Sequence, residues 1–274
     1  GKRLLAKKEN QELVFPILIE GIKSFVAKNN LSSVHITFCS LEEFERGGGL
    51  GLLKRTSSQF HWKNDSYKNF QDFLDALSSR KRKNIRKERD RAKSFGGKIV
   101  RYTGTEITEK HWDAFWDFYL DTGNRKWGQP YLTRNFFEIA GKKLGKELLM
   151  ILAEVDGNPI AGALNFIGQD ALFGRYWGCT ESYSNLHFEI CYYQAIEYAI
   201  ENNLSRVEAG AQGEHKLARG YMPNHTYSLH WINNSNFSTA VAQYLDEERK
   251  AVGQEMEILS DYGPFKDLNI EEKK

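Results

Sequence analysis

Residues 209–221, AGAQGEHKLARGY, crowd Gln212, Glu214, His215, Lys216 and Arg219 between Gly210, Gly213 and Gly220. Three readings fit these residue types: a loop that holds an acyl donor, a loop that touches nucleic acid, or a polar turn. Acyl transfer to an amine needs a neutral amine to attack, a developing oxyanion to be stabilised, and a leaving thiol or hydroxyl to be protonated. Glu214 can take the amine proton, and Lys216 can neutralise the oxyanion or a donor phosphate. Gly210 and Gly213 let backbone approach a ligand closely. The plainer alternative is a solvated polar turn.

A second cluster lies on a helix of about sixteen residues, HFEICYYQAIEYAIENN. At helical spacing Glu189, Tyr193, Ile196 and Ile200 share one face, so a carboxylate heads an apolar stripe beside His187. Glu189 is therefore an alternative base, against the plain reading of a first-turn acid favoured by the helix dipole. His187 and Cys191 stand four apart, the spacing of a thiol–imidazole pair, although a buried structural Cys is the commoner case. His35, His61, His111, His225 and His230 show no metal-ligand spacing, and no metal is expected.

Three further groups offer binding chemistry. SRKRKNIRKERDRAK (79–93) carries basic residues on every face but its apolar one, a local positive field for phosphate or a solvated helix with paired charges. NRKWGQPYL places Arg125 and Trp127 in a connector, with Tyr131 able to stack on a substrate or plug the core. In GRYWGC, alternation puts Arg175 and Trp177 on one strand face, as a binding pair or as cation–π packing. GGGLG (47–51) reads as a flexible connection rather than a phosphate loop, since no helix pattern follows it.

Elements must hold these groups in place. LLMILAEV (148–155), IAGALNFI (160–167) and ALFGRYWGC (171–179) are apolar runs joined by short polar turns, an antiparallel meander. KIVRYT precedes them as a strand, followed by amphipathic helices in EKHWDAFWDFYLDT and TRNFFEIAGKKL. After the meander come the Glu189 helix, the short strand SRVEAGA, the polar loop and a last strand, HTYSLHWI. A helix between the fourth and fifth strands makes the sheet mixed.

The 274 residues suffice for one large or two small domains, and 41% hydrophobic content supports a core. A net charge of +2 points to no partner, so any anion preference must be local. Three cysteines without pairing pattern fit a reducing compartment, and no apolar run approaches a bilayer span. The expected setting is cytoplasmic, without membrane insertion.

NNLSSV (29–34) recurs as NNLSRV (202–207), and FHW (60–62) as LHW (229–231), in the same order and context. This suggests an internal duplication whose first copy begins at its fourth strand, RLLA, in a chain truncated at its N-terminus. The expected organisation is a half unit at 1–66, a basic linker helix at 67–97, a complete unit at 98–235, and a helix and tail at 236–274. A sheet edge left open by missing strands would favour pairing with a second copy.

The order of strand, two helices, three strands, helix, strand, helix, strand resembles the Gcn5-related N-acyltransferase fold. More closely, QFHWKNDSYKNFQDFLDALSSRKRKNIRKER (59–89), NRKWGQPYL, GRYWGC, LHFEICYYQAIEYAI and EAGAQGEHKLARGYMP are similar to the FemAB-like predicted N-acyltransferases, relatives of the Fem-type aminoacyltransferases of peptidoglycan bridges. The resemblance implies a tandem α/β fold with mixed, mainly antiparallel sheets. It implies transfer of an acyl or aminoacyl group to an amine acceptor such as a muropeptide. The donor would be a phosphate-bearing co-substrate, acyl-CoA or aminoacyl-tRNA, with no covalently bound cofactor. In the family a Lys at the corresponding helix start is the catalytic candidate, and Lys216 matches it. The resemblance also favours ligand-facing roles for Arg80, Lys81, Asn84 and Arg86. QGEHKLARG departs from the superfamily's acyl-CoA signature, Gln/Arg-x-x-Gly-x-Gly/Ala, which leaves aminoacyl-tRNA open. A non-catalytic module that binds a peptidoglycan precursor, or RNA through the basic helix, is the alternative.

Overall fold

The structure, a computed structural model, describes residues 1–125 and 130–266. In chain order it contains α1 (Gln11–Lys28), β1 (Ser33–Cys39), α2 (Leu41–Gly49), β2 (Leu53–Lys63), α3 (Phe70–Ala76), α4 (Ser79–Ala92) and β3 (Lys98–Thr103). Then follow α5 (Glu109–Arg125), α6 (Arg134–Leu144), β4 (Leu148–Val155), β5 (Asn158–Ile167), β6 (Ala171–Cys179), α7 (Leu186–Phe188) and α8 (Gln194–Glu201). The last elements are β7 (Arg206–Glu208), a 3-10 turn (Glu214–Arg219), β8 (Met222–Ile232) and α9 (Ser235–Asp261). Among the described residues no helix is long and apolar enough to cross a membrane.

The chain divides into two compact units. One joins Gly1–Gln59 to Pro223–Asp261, and the other joins Phe60–Met222 to the segment from Tyr262. This division differs from the contiguous one expected from the sequence. β8 pairs antiparallel with β1, from Ser33↔Ile232 to Ile36↔Leu229, which takes the last strand into the first unit. Glu248 of α9 receives Arg55 through bonds of 2.8 and 2.7 Å, which takes the long helix there too. The basic segment is not a separate linker. Ile85, Ala92 and Phe95 are buried within the second unit.

In the first unit, Phe15, Ile19, Phe44 and Leu229 form the core. The glycine run expected as a connection instead ends α2. A Cβ on Gly47 would come within 2.3 Å of Leu229 Cδ1, so a larger residue there would force the Leu229 side chain to shift. Residues 3–6, expected as a strand, form none.

In the second unit the strand order is β2-β7-β6-β5-β4-β3, with β2 entering from Phe60. β3 to β6 are antiparallel neighbours, and β6 and β7 run parallel because α7 and α8 carry the chain between them. The mixed, mainly antiparallel sheet expected from the sequence is therefore present. Phe115, Phe118 and Phe137 of α5 and α6 pack on Leu148, Met150, Leu152 and Leu164. Apolar burial of this kind contributes about 2 kcal/mol per large side chain, so this face anchors β4 to β6 beneath the site.

Candidate active site

The site begins where two parallel strands stop pairing. β6 meets β7 at Ala171↔Arg206, Leu172↔Val207 and Phe173↔Glu208, and no further. On β6 the register against β5 shifts between Leu164↔Tyr176 and Asn165↔Gly174, so Arg175 is a bulged extra residue. A bulge bends its strand and locally disrupts the ladder. On the other side Ala209 and Gly210 leave β6 to bond Phe60, through two backbone bonds of 3.0 Å. Gly210 and Gly213 then turn the loop with φ of +77° and +98°. The diverging strands open a cavity of about 850 Å³.

Lys216 lies in its wall and is only 6% exposed. Its Nζ donates to the carbonyl of Ala209 and, at 3.3 Å, to that of Gly210. Among the described residues no carboxylate pairs with it. Burial lowers its pKa to about 8. The group is thus an ammonium at neutral pH whose charge no anion has cancelled, suited to a developing oxyanion.

His215 is held beside it. Its Nε2 shares a 2.9 Å hydrogen bond with Tyr192 Oη, and Arg219 Nη1 donates to its carbonyl at 2.5 Å. Arg219 also grips Glu88 of α4 and lies 3.4 Å over the Phe188 ring. Partial burial, then the Arg219 and Lys216 cations, keep the His215 imidazole below the ordinary histidine pKa. Tyr192 reaches the cavity because residues Glu189–Tyr193 form a π-turn, an insertion often found at functional sites. Burial pushes the Tyr192 phenol and the Cys191 thiol well up, so both keep their protons, and Cys191 is no thiolate nucleophile.

Of the residues singled out in the sequence, the cavity brings together Lys216, His187, His215, Gln212, Arg175, Trp177 and Tyr131. The others lie elsewhere. Glu214 is exposed at the start of the 3-10 turn and does not line the cavity. Glu189 is buried, but its carboxylate takes two bonds from Arg89, at 3.0 and 2.8 Å, and one from Gln194. That geometry ties the helix to α4 and aims no base at the cavity. Arg219 holds the loop through Glu88 rather than facing a ligand. Arg125 pairs with Asp121 and donates to the Cys179 carbonyl at 3.3 Å. Arg80, Asn84 and Arg86 are exposed on α4, Lys81 is half-buried there, and none lines the cavity. Trp127 lies outside the described residues.

Sequence reading misses Tyr119, Asn165, Tyr176 and Tyr192, which also line the cavity. Tyr176 shares a 2.8 Å bond with Tyr131, and burial pushes its pKa up to about 12. Nothing in local spacing marks Tyr192, because a regular helix has no π-turn. Among the described lining residues there is no Asp or Glu.

The model of the FemAB-like family, described as peptidoglycan biosynthesis/recognition, matches residues 1–267. Among solved structures, L-PGS from Bacillus licheniformis is similar with a TM-score of 0.60 at 11% identity, over 86% of this chain and 78% of its own. The C-terminal domain of a putative lysylphosphatidylglycerol synthetase from Agrobacterium fabrum gives 0.60 at 10% identity, over 88% and 79%. FemX gives 0.59 at 11% identity, over 86% and 81%. At such identities the likeness shows a shared fold. No curated protein matches the sequence.

Proposed function

Because the chain belongs to the FemAB-like family, whose description is peptidoglycan biosynthesis/recognition, we propose that it is an N-acyltransferase that moves an aminoacyl group to the amine of a peptidoglycan precursor. The observation that carries this reading is the buried Lys216 ammonium, which among the described residues no carboxylate pairs, in the cleft where β6 and β7 part. Strand edges left unpaired beyond Phe173 and Glu208 offer backbone groups to an extended substrate. Lys216 stabilises the oxyanion formed when the amine attacks the acyl carbonyl. Arg175 and Gln212, exposed at the cavity, take the donor's phosphates.

Aminoacyl-tRNA is the donor we favour, since the loop lacks the acyl-CoA spacing. A charged-tRNA donor sets the reaction in the cytoplasm. The test incubates the full chain with aminoacyl-tRNA or with acyl-CoA esters, together with an amine-bearing muropeptide, and weighs the products. Acyl addition from charged tRNA, lost in Lys216→Ala, supports the proposal. Addition from acyl-CoA alone moves the donor assignment. Muropeptide binding without transfer from any donor replaces it with the recognition reading.

A further inference from the structure

Among the described residues no carboxylate lines the cavity, which leaves the proton transfers of the reaction without the acid residues that the sequence nominates. Lys216 is tied to two carbonyls, and an Arg such as Arg175 does not give up a proton. The His187 ring packs edge-on to Trp177 at 5.0 Å. Tyr192 and His215 line the same cavity and are hydrogen-bonded to each other at 2.9 Å.

We propose that Tyr192 and His215 are the proton-transfer pair of this site, a role that rests on the acyl-transfer reading above. A neutral imidazole accepts at one nitrogen and donates at the other. Nε2 faces Tyr192, and among the described residues Nδ1 has no hydrogen-bond partner. The charged groups acting on His215 are Arg219 and Lys216 of its own turn and Glu88 of α4; partial burial first, and then the two cations, hold the ring below the ordinary histidine pKa.

In the step, the amine nitrogen bonds the acyl carbon and gives one proton to Nδ1. Nε2 passes its proton to the Tyr192 oxygen, and Tyr192 passes its own to the leaving oxygen as the acyl C–O bond breaks. The products are an amide and an alcohol, and neither side chain changes charge. His215 is exposed, so proton exchange with water restores the starting tautomer.

Two measurements on the full chain test this. The first is ¹⁵N-histidine NMR, with the His215 signal assigned by its loss in His215→Gln. The His215 ring should titrate below an ordinary histidine, and Tyr192→Phe should move its ring-nitrogen shifts. A signal that titrates normally and ignores Tyr192→Phe overturns the pair, whether or not any donor is used. The second is steady-state transfer from aminoacyl-tRNA to the muropeptide. Tyr192→Phe and His215→Gln should each lower kcat by roughly 10²–10⁴-fold with KM little changed. Unchanged kcat in either variant overturns the role. If the wild-type chain transfers from no donor, the acyl-transfer reading falls and the catalytic role falls with it, while the NMR result still decides whether the pair is coupled.

Discussion

Arg219 holds the Glu88 carboxylate through two bonds of 3.1 and 2.8 Å and, with its other amino group, the carbonyl of His215. One nearly buried guanidinium thereby couples the basic helix α4 to the loop that carries Lys216. Tyr193 also donates to Glu88, so α4 is gripped from α8's side as well.

Glu88→Gln breaks this coupling. It leaves the Arg219 cation, 6% exposed, without its anion. Removing one partner of a buried pair costs roughly 3–5 kcal/mol, and Tyr193's remaining bond to the amide offsets part of that. Chemical denaturation should read a loss near the low end, and transfer should fall as His215 loses its anchor. Unaltered stability would show that Arg219 finds its partner elsewhere.

Lys216→Met should abolish transfer while stabilising the fold at neutral pH. The folded-state pKa is about 8, below the ordinary 10.5. Between those values the unfolded chain holds a proton that the folded chain has lost, so wild-type stability rises with pH. The penalty is complete below pH 8 and gone above 10.5. The variant should therefore gain about 1–3 kcal/mol at pH 7, after its lost hydrogen bonds are counted, and at pH 10.5 the gain should be gone, with the lost hydrogen bonds leaving it slightly less stable than wild type. Denaturation at both pH values checks the sign, and a gain independent of pH would contradict the burial of the ammonium.

Gly213→Ala probes the loop geometry. A Cβ there would stand 2.5 Å from His215 Cε1, and φ is +98°. The strain costs on the order of 1–3 kcal/mol, and the ring must move away from Tyr192. Transfer should drop more than tenfold, with the His215 NMR signal shifted. A variant with normal kcat would mean that the ring position is irrelevant to catalysis.

Arg80→Ala and Asn84→Ala sit on the exposed side of α4, outside the cavity. Stability should stay within about 0.5 kcal/mol and the muropeptide KM should not change. A higher KM confined to the tRNA donor would restore the phosphate-binding role that the sequence suggests for this helix.

The order of elements between residues 98 and 232 is legible in the chain itself. Apolar runs such as LLMILAEV bounded by DGNP specify strands locally, and the Phe and Trp spacing of α5 specifies a helix face, because both depend on near neighbours. The cluster around Lys216 is legible for the same reason, since its glycines and charges adjoin in sequence. Its partners are not. Glu88 meets Arg219 across 131 positions, Arg89 claims Glu189 across 100, and β8 joins β1 rather than the unit it follows. The bulge at Arg175 and the π-turn at Glu189–Tyr193 likewise have no local signature. Which carboxylate is neutralised, and which tyrosine faces the cavity, is settled only when distant segments pack. Burial then leaves a charge to be paired by whatever side chain the fold brings within reach.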